Sequence, residues 1–332
     1  MRAPEFWSNP PEMPGLAARL LSPVSLLWRL GGRVRAARPS WRAPCPVISV
    51  GNLTAGGTGK TPLVRALADR LTARGHAPHI LSRGYGGRLR GPHRVDPRQD
   101  TADDVGDEPL MLAATLPVWI ARDRKQAALR AVEEASCLIL DDGHQSTALE
   151  RDLCVVTVDA GAGFGNGRVI PAGPLREPIS EGLARADAVI LIGPEADRAA
   201  CLSKWPELAT RPVAQAELLP SATGLDLAGQ PVVAFAGIGR PEKFFATLAA
   251  MGADVRLAEP FPDHHSFPVP VLRRLLRTAR SQGAMLVTTE KDAVRLPAEF
   301  RREVVVVPVD LRVMDWQGID VAIQAVFANK SP

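Results

Sequence analysis

At 332 residues with 46% apolar side chains, the chain is long enough to bury a sizeable core and reads more readily as two domains than as one. Its net charge of +4 is uneven, because residues 13–68 hold eight basic side chains (Arg19, Arg29, Arg33, Arg35, Arg38, Arg42, Lys60 and Arg65) and no acidic one. That balance suits an anionic surface as partner of the N-terminal part, while the single Tyr and the lack of aromatics interleaved with basic residues exclude a nucleic-acid-binding pattern.

Residues 14–36 predict a helix in two pieces, with Ser22 as N-cap and Pro23 opening the second piece. At about 100° per residue, Leu16, Leu20, Val24, Leu27, Trp28 and Leu30 gather on one side and Ser22, Ser25, Arg29 and Arg33 on the other, with Leu26 the exception. With Trp7, Trp28 and Trp41 nearby, residues 1–42 read as a membrane-association segment whose helix lies in the interface; the alternative is a helix packed on its own domain. The apolar run "LLSPVSLLW" is too short to span a bilayer, and no small-residue cleavage site accompanies it, so neither a spanning helix nor a signal peptide is expected.

From residue 45 onward, short β-rich runs alternate with helical patterns. "PVISV", "HILS", "PVWIA", "CLILDD", "LCVVTVD" and "AVILIG" are interleaved with helices from Lys60, near 107–116 and near 124–135. This rhythm predicts an α/β fold, a parallel sheet with helices on both faces, over residues 43–215. After a polar, Pro-containing stretch at about 205–230, a second series ("VVAFAGIG", "VRLAE", "AMLVTTE", "EVVVVPVDL") predicts a smaller α/β domain over 216–332. Cys45, Cys137, Cys154 and Cys201 are scattered without a CxxC pair and read as reduced core residues.

The stretch "SVGNLTAGGTGKTP" (49–62) combines a strand, a glycine-dense turn and a helical pattern that begins at Lys60. Such a turn aims successive backbone N–H groups at an anion, here from Thr54, Ala55, Gly56, Gly57, Thr58 and Gly59, and the helix N-terminus adds partial positive charge. Lys60 would reach the β- and γ-phosphates of a nucleotide and Thr61 would ligate Mg²⁺, although Thr54 stands where the general pattern has its first glycine. Asp141 and Asp142 follow a buried strand, where paired carboxylates need a cation, so they are the expected metal ligands beside Thr61.

Taken with these, "LSRGYGG", "DVGDEPLMLA", "LDDGHQ" with "LERDL", "GRVIPAGPLREP", "AFAGIGRPEKFF", "FPDHH" and "VTTEKDAVRL" occur in the order that resembles the tetraacyldisaccharide 4′-kinase family, over about residues 14–310. The resemblance extends to the loop lacking its first glycine. It implies a membrane-associated P-loop kinase of two α/β/α domains with the active site in the cleft between them. ATP would be the phosphoryl donor and Mg²⁺ the cofactor. The acceptor would be the 4′-hydroxyl of a tetraacyldisaccharide 1-phosphate in lipid A synthesis, at the cytoplasmic face of the inner membrane, with no obligate protein partner. It further implies that Asp107 of the GDEP motif pairs with His264 of the PDH motif to activate the hydroxyl, and that Arg83, Tyr85, Arg122, Arg176 and Glu177 line the cleft.

Read without the resemblance, Asp107 could instead cap a helix and His265 rivals His264. Lys291 could meet either nucleotide or a local carboxylate. His144 and Ser146 depart from the family's usual Phe and His. Two other readings stay open: a soluble small-molecule kinase on the same scaffold, and a nucleotide-dependent switch without phosphoryl transfer.

Overall fold

A computed structural model describes residues 3–36, 39–221 and 226–330, with the side chains of 33–36 left aside. Its strands are β1 (Val47–Gly51), β2 (Pro78–Ser82), β3 (His93–Arg94), β4 (Val118–Ile120), β5 (Cys137–Asp141), β6 (Leu153–Asp159), β7 (Ala188–Ile192), β8 (Val213–Pro220), β9 (Pro231–Ala236), β10 (Asp254–Pro260), β11 (Met285–Thr289), β12 (Val305–Val307) and β13 (Val309–Val313). They form a nine-stranded sheet in the order β13-β8-β7-β6-β1-β5-β2-β4-β3 and a four-stranded sheet in the order β10-β9-β11-β12. Only the two edge strands β13 and β3 of the larger sheet run antiparallel to their neighbours.

The central strands β1, β2, β5, β6 and β7 are buried along their whole length, as their unbroken Val/Ile/Leu runs require when helices cover both faces. One face packs Leu63, Val64, Leu67 and Leu71 of the helix Lys60–Thr72 together with Ile319 and Ile323 of the helix Gln317–Ala328. Other faces carry Ala127, Ala128 and Ala131 of the helix Arg124–Ala131, and Leu183 and Cys201 from helices Ile179–Ala184 and Glu195–Lys204. The smaller sheet is likewise sandwiched, by Leu272 and Leu275 of the helix Val269–Ser281 on one side and Phe244 and Leu248 of the helix Pro241–Ala250 on the other.

The expected division at residue 216 falls inside β8, which pairs with β7 in the larger sheet. The chain also comes back. "VVVVPVDL" reads as one strand, yet Val305–Val307 joins β11 in the smaller sheet while Val309–Val313 joins β8 in the larger one. Pro308 lies between them and has no N–H with which to extend a ladder, so the run can change sheets there. The C-terminal helix then closes the larger layer, with Arg70 and Arg74 paired to Asp320. The larger layer therefore comprises about residues 43–221 and 308–330, and the smaller one 226–307.

The N-terminal helix also departs from expectation. Leu16–Ala36 is continuous through Pro23, and Ser22 is no cap, since its hydroxyl donates back to Ala18 O at 2.8 Å. Its polar face is the one that packs on the protein. Ala18 and Ser25 are buried, Ser25 Oγ donates to Val169 O at 2.7 Å, Arg29 pairs with Glu181 at 3.1 Å, and Trp28 Nε1 donates to Arg176 O at 3.0 Å. The apolar row faces outward, with Leu16 73%, Leu20 69% and Leu27 69% exposed, and Met13, Val24, Leu26 and Leu30 beside them. Arg33, expected on the polar face, lies outside the described side chains. No helix among the described residues is long and apolar enough to cross a membrane.

Candidate active site

The glycine loop leaves the carboxyl end of β1, the middle of the larger sheet, where the flanking strands β5 and β6 diverge in sequence order. That is the crevice in which open parallel sheets bind ligands. Gly56 (φ 118°) and Gly59 (φ 80°) take left-handed backbone, and a Cβ at Gly59 would lie 2.6 Å from Ile192 Cδ1, so neither position tolerates a side chain without strain. The structure also explains Thr54. It forms an antiparallel bridge with Leu175, and Ala55 N donates to Pro174 O at 2.8 Å, so this half of the loop is anchored to residues 167–178 instead of wrapping an anion. Thr58 turns its hydroxyl inward to Thr157 at 2.8 Å, leaving only its backbone for a ligand.

Lys60 and Thr61 open the helix Lys60–Thr72, and Lys60 Nζ lies 3.6 Å from Asp142. Asp141 ends β5 and is buried; desolvation, reinforced by Glu108 and Asp142, pushes its carboxyl up to about 6. Asp142 sits in left-handed backbone (φ 50°) and behaves oppositely: although burial raises it, Lys60 and Arg176 hold it well below the usual carboxylate range. A desolvated carboxylate beside a paired one, with a hydroxyl on the facing helix, fits a hard divalent cation that takes one or two carboxylates and leaves its other positions to water and phosphate. Among the described residues no group of three or more His, Cys, Asp or Glu gathers as a closed metal cage.

Asp107 is the first residue of the helix Asp107–Ala113, and its carboxylate caps nothing. It reaches across to the smaller domain, where His264 Nδ1 lies 2.7 Å from Oδ2 and Arg295 Nε donates to the same oxygen at 2.9 Å. Burial pushes the Asp107 carboxyl up, but the His264 hydrogen bond and the Arg295 and Lys291 charges outweigh it, so the net shift is downward. His264 itself adopts left-handed backbone (φ 58°), a sparsely populated conformation for a non-glycine residue. His265, its rival, instead stacks on Phe261 with ring centroids 4.8 Å apart and packs edge-on against Phe267. Tyr85 lies edge-on to the His264 ring at 6.1 Å and is largely exposed.

The remaining expected residues divide. Arg83 and Arg122 follow β2 and β4 at the same sheet edge and are exposed. Arg176 and Glu177 are engaged within the protein: Arg176 Nη1 donates to both oxygens of Asp142, while Glu177 accepts from Gln145 at 2.9 Å and pairs with Arg185. Lys291 meets carboxylates from both layers, Glu108 of the larger at 2.9 Å and Asp263 of the smaller at 3.7 Å, and lies 3.5 Å from His264 Nε2. His144 occupies a buried slot. Its Nε2 lies 3.0 Å from Gly182 O, and burial, against an opposing pull from Glu177, depresses it to about 4.

Three residues that sequence reasoning passed over matter here. Arg295 sits in the quoted motif "VTTEKDAVRL", four places beyond Lys291, and one helical turn past Asp292 was the available signal. Arg124, two residues past Arg122, is only 2% exposed and wedges its guanidinium under the carbonyls of Asp141 and Asp142. Asp159, at the end of β6, receives Arg240 at 2.6 Å and Lys243 at 2.7 Å from the smaller domain. With Arg65–Glu290 at 2.7 Å, these contacts hold the two domains together around the loop.

The chain matches the family Tetraacyldisaccharide-1-P 4'-kinase over residues 17–328. It is 51% identical over 99% of its length to a tetraacyldisaccharide 4'-kinase from Dinoroseobacter shibae, covering 98% of that protein, and 51% identical over 99% of its length to one from Jannaschia sp., covering 100% of it. A crystal structure of LpxK from Aquifex aeolicus in complex with ATP superposes with a TM-score of 0.73 at 26% identity, over 94% of this chain and 100% of the other. A glycine loop at the carboxyl edge of a parallel sheet, completed by side chains from a second domain, is thus found together with near-complete sequence coverage: the chain belongs to the tetraacyldisaccharide 4′-kinase family.

Proposed function

We propose that this protein transfers the γ-phosphoryl group of ATP to the 4′-hydroxyl of a tetraacyldisaccharide 1-phosphate. The observation that carries the reading is the contact of Asp107 with His264 across the two domains, made from a helix that packs against the one Lys60 opens. Phosphoryl transfer asks for positioning, charge neutralisation and one oriented acceptor for the hydroxyl proton, and these are the parts present.

In this reading the backbone of residues 56–59 and Lys60 cradle the phosphates, with Lys60 exchanging its hold on Asp142 for the β- and γ-oxygens. Thr61, Asp141 and Asp142 would hold Mg²⁺, which when bound neutralises charge on the β- and γ-phosphates. Arg124 keeps the two aspartate carbonyls in place. Arg83 and Arg122, exposed on the same edge, suit the anionic groups of nucleotide or lipid. Asp107 accepts the 4′-hydroxyl proton as that oxygen bonds to the γ-phosphorus and the bond to the β,γ-bridging oxygen breaks, releasing ADP. His264 steadies the carboxylate through Nδ1. Because Asp107 and His264 come from different domains, the proton acceptor is complete only where the two domains meet.

The exposed apolar row on Leu16–Ala36 supports docking at the cytoplasmic face of the inner membrane, peripheral or monotopic, where an acylated substrate resides. The test is phosphorylation of tetraacyldisaccharide 1-phosphate in detergent micelles with labelled ATP and Mg²⁺, beside Asp107→Ala and His264→Ala. Labelled bisphosphorylated lipid from the wild type and its loss in both variants is the expected result. A folded, ATP-binding wild type that labels no lipid would overturn the assignment.

A further inference from the structure

The two donors on Asp107 do not share its carboxylate evenly. His264 Nδ1 and Arg295 Nε both address Oδ2, at 2.7 and 2.9 Å, and no described residue donates to Oδ1. Arg295 cannot easily choose otherwise. Its side chain is only 6% exposed, and Nη1 donates to Gly237 O, His265 O and Asp292 Oδ1 at 3.2, 3.2 and 3.1 Å. Asp292 is in turn locked from behind, accepting from Gly237 N at 3.1 Å and Thr289 Oγ1 at 2.6 Å. Gly237 O also accepts from His264 N at 3.1 Å, so the loop that carries His264 and the guanidinium that meets Asp107 hang on the same carbonyl.

We propose that Arg295 is the positioning residue of the phosphoryl transfer: it fixes Oδ2 of Asp107 against the smaller domain so that Oδ1 alone is left to take the 4′-hydroxyl proton. This rests on the assignment of Asp107 as proton acceptor. A carboxylate held at one oxygen by two donors loses its freedom to rotate, and the reacting oxygen is then presented in one orientation. The positive charge also adds to the His264 hydrogen bond in favouring the ionised carboxylate against the opposing pull of burial. The groups that face this carboxylate are His264, Arg295 and Lys291; the nearby acids are already held, Glu108 and Asp263 by Lys291 and Asp292 by Arg295. If Arg295 is removed, His264 and Lys291 still face the carboxylate.

The test is steady-state kinetics of Arg295→Gln, Arg295→Lys and Asp107→Asn with ATP, Mg²⁺ and tetraacyldisaccharide 1-phosphate in micelles, across pH 5 to 9. Arg295→Gln is expected to lower kcat by about 10²-fold while KM for ATP changes by less than about three-fold, because the residue touches no part of the phosphate loop. Its activity should begin to fall at higher pH on the acid side than in the wild type, since Asp107 loses a cation that favours its charged form. Arg295→Lys should return the acid limb toward the wild type yet remain several-fold slower, because an ammonium cannot make the forked contacts.

If Asp107→Asn proves fully active, the acceptor assignment itself falls. If Asp107→Asn is inactive but Arg295→Gln keeps the wild-type kcat and pH profile, only the role of Arg295 is overturned. Should Arg295→Gln melt below the assay temperature, the Lys variant decides: unchanged kcat there refutes the positioning role.

Discussion

Asp107 and His264 are 157 positions apart and belong to different layers, yet their side chains meet at 2.7 Å. Neither is stationed by its own domain alone, since Arg295 binds Asp107 and Lys291 binds both Glu108 and Asp263. Asp107→Ala is expected to cost about 10²–10⁴ in kcat with little change in KM for ATP, and His264→Ala somewhat less. Full activity of Asp107→Ala in the micelle assay would remove it as the proton acceptor.

Lys60→Ala should act differently. Its partner in the resting protein is Asp142, and with nucleotide bound its role is phosphate charge. Its loss is expected to raise KM for ATP and to lower kcat by about 10²-fold, as removal of a preorganised charge does. An unchanged KM for ATP, measured with wild-type-like folding by circular dichroism, would contradict that placement.

The outward row of the N-terminal helix makes a sharp prediction because Leu20 and Leu27 stand largely clear of the protein. Leu20→Glu with Leu27→Glu is expected to abolish flotation with anionic vesicles, since each leucine transferred from water contributes about 1.5–3 kcal/mol. Thermal stability should hold to within about 1 kcal/mol, because both side chains are exposed. Flotation that survives in the double variant would exclude docking through this face.

Asp159 makes a further clasp between the domains, through Arg240 and Lys243. Both cations are substantially exposed, so the pair should contribute about 1 kcal/mol or less and weaken in salt. Arg240→Ala with Lys243→Ala is expected to increase hydrogen exchange at the cleft at low ionic strength and to match the wild type in about 1 M salt. A difference that persists at high salt would mean the contact is not electrostatic.

His144 predicts a pH effect of definite sign. Its ring is buried and depressed to about 4, chiefly by desolvation, whereas an unfolded histidine titrates near about 6.5. The unfolded chain therefore binds the extra proton first, and this residue's stability contribution is present above about 6.5 and lost as pH falls toward 4. The loss amounts to at most about 1.4 kcal/mol per pH unit. In urea titrations, His144→Phe should show a shallower decline over that window; parallel curves would refute it.

The sequence made the larger sheet legible because its buried strands are unbroken apolar runs and the glycine loop is followed at once by a helix. It also led to Asp107, His264, Asp141 and Asp142 through motif context. What it concealed has physical causes. β8 shows a half-buried alternation, "VAQAELLP", which lacks the apolar density of its neighbours. The change of sheets at Pro308 is invisible in a run of valines, and Pro23 did not break a helix that tertiary contacts through Ser25 and Arg29 hold in place. Arg295 and Arg124 were hidden because a buried arginine is recognised by its acceptors, which lie far off in the chain.

Residues 167–178 join three duties: they take the polar side of the N-terminal helix at Val169 and Arg176, pair with Thr54 in the phosphate loop, and lend Arg176 to Asp142. The outward leucines and the phosphate loop are thereby both tied to one short strap. Under the proposed docking, that strap would set the offset between the plane on which the leucines rest and the transferring phosphorus, so that a hydroxyl would be reached only at one elevation.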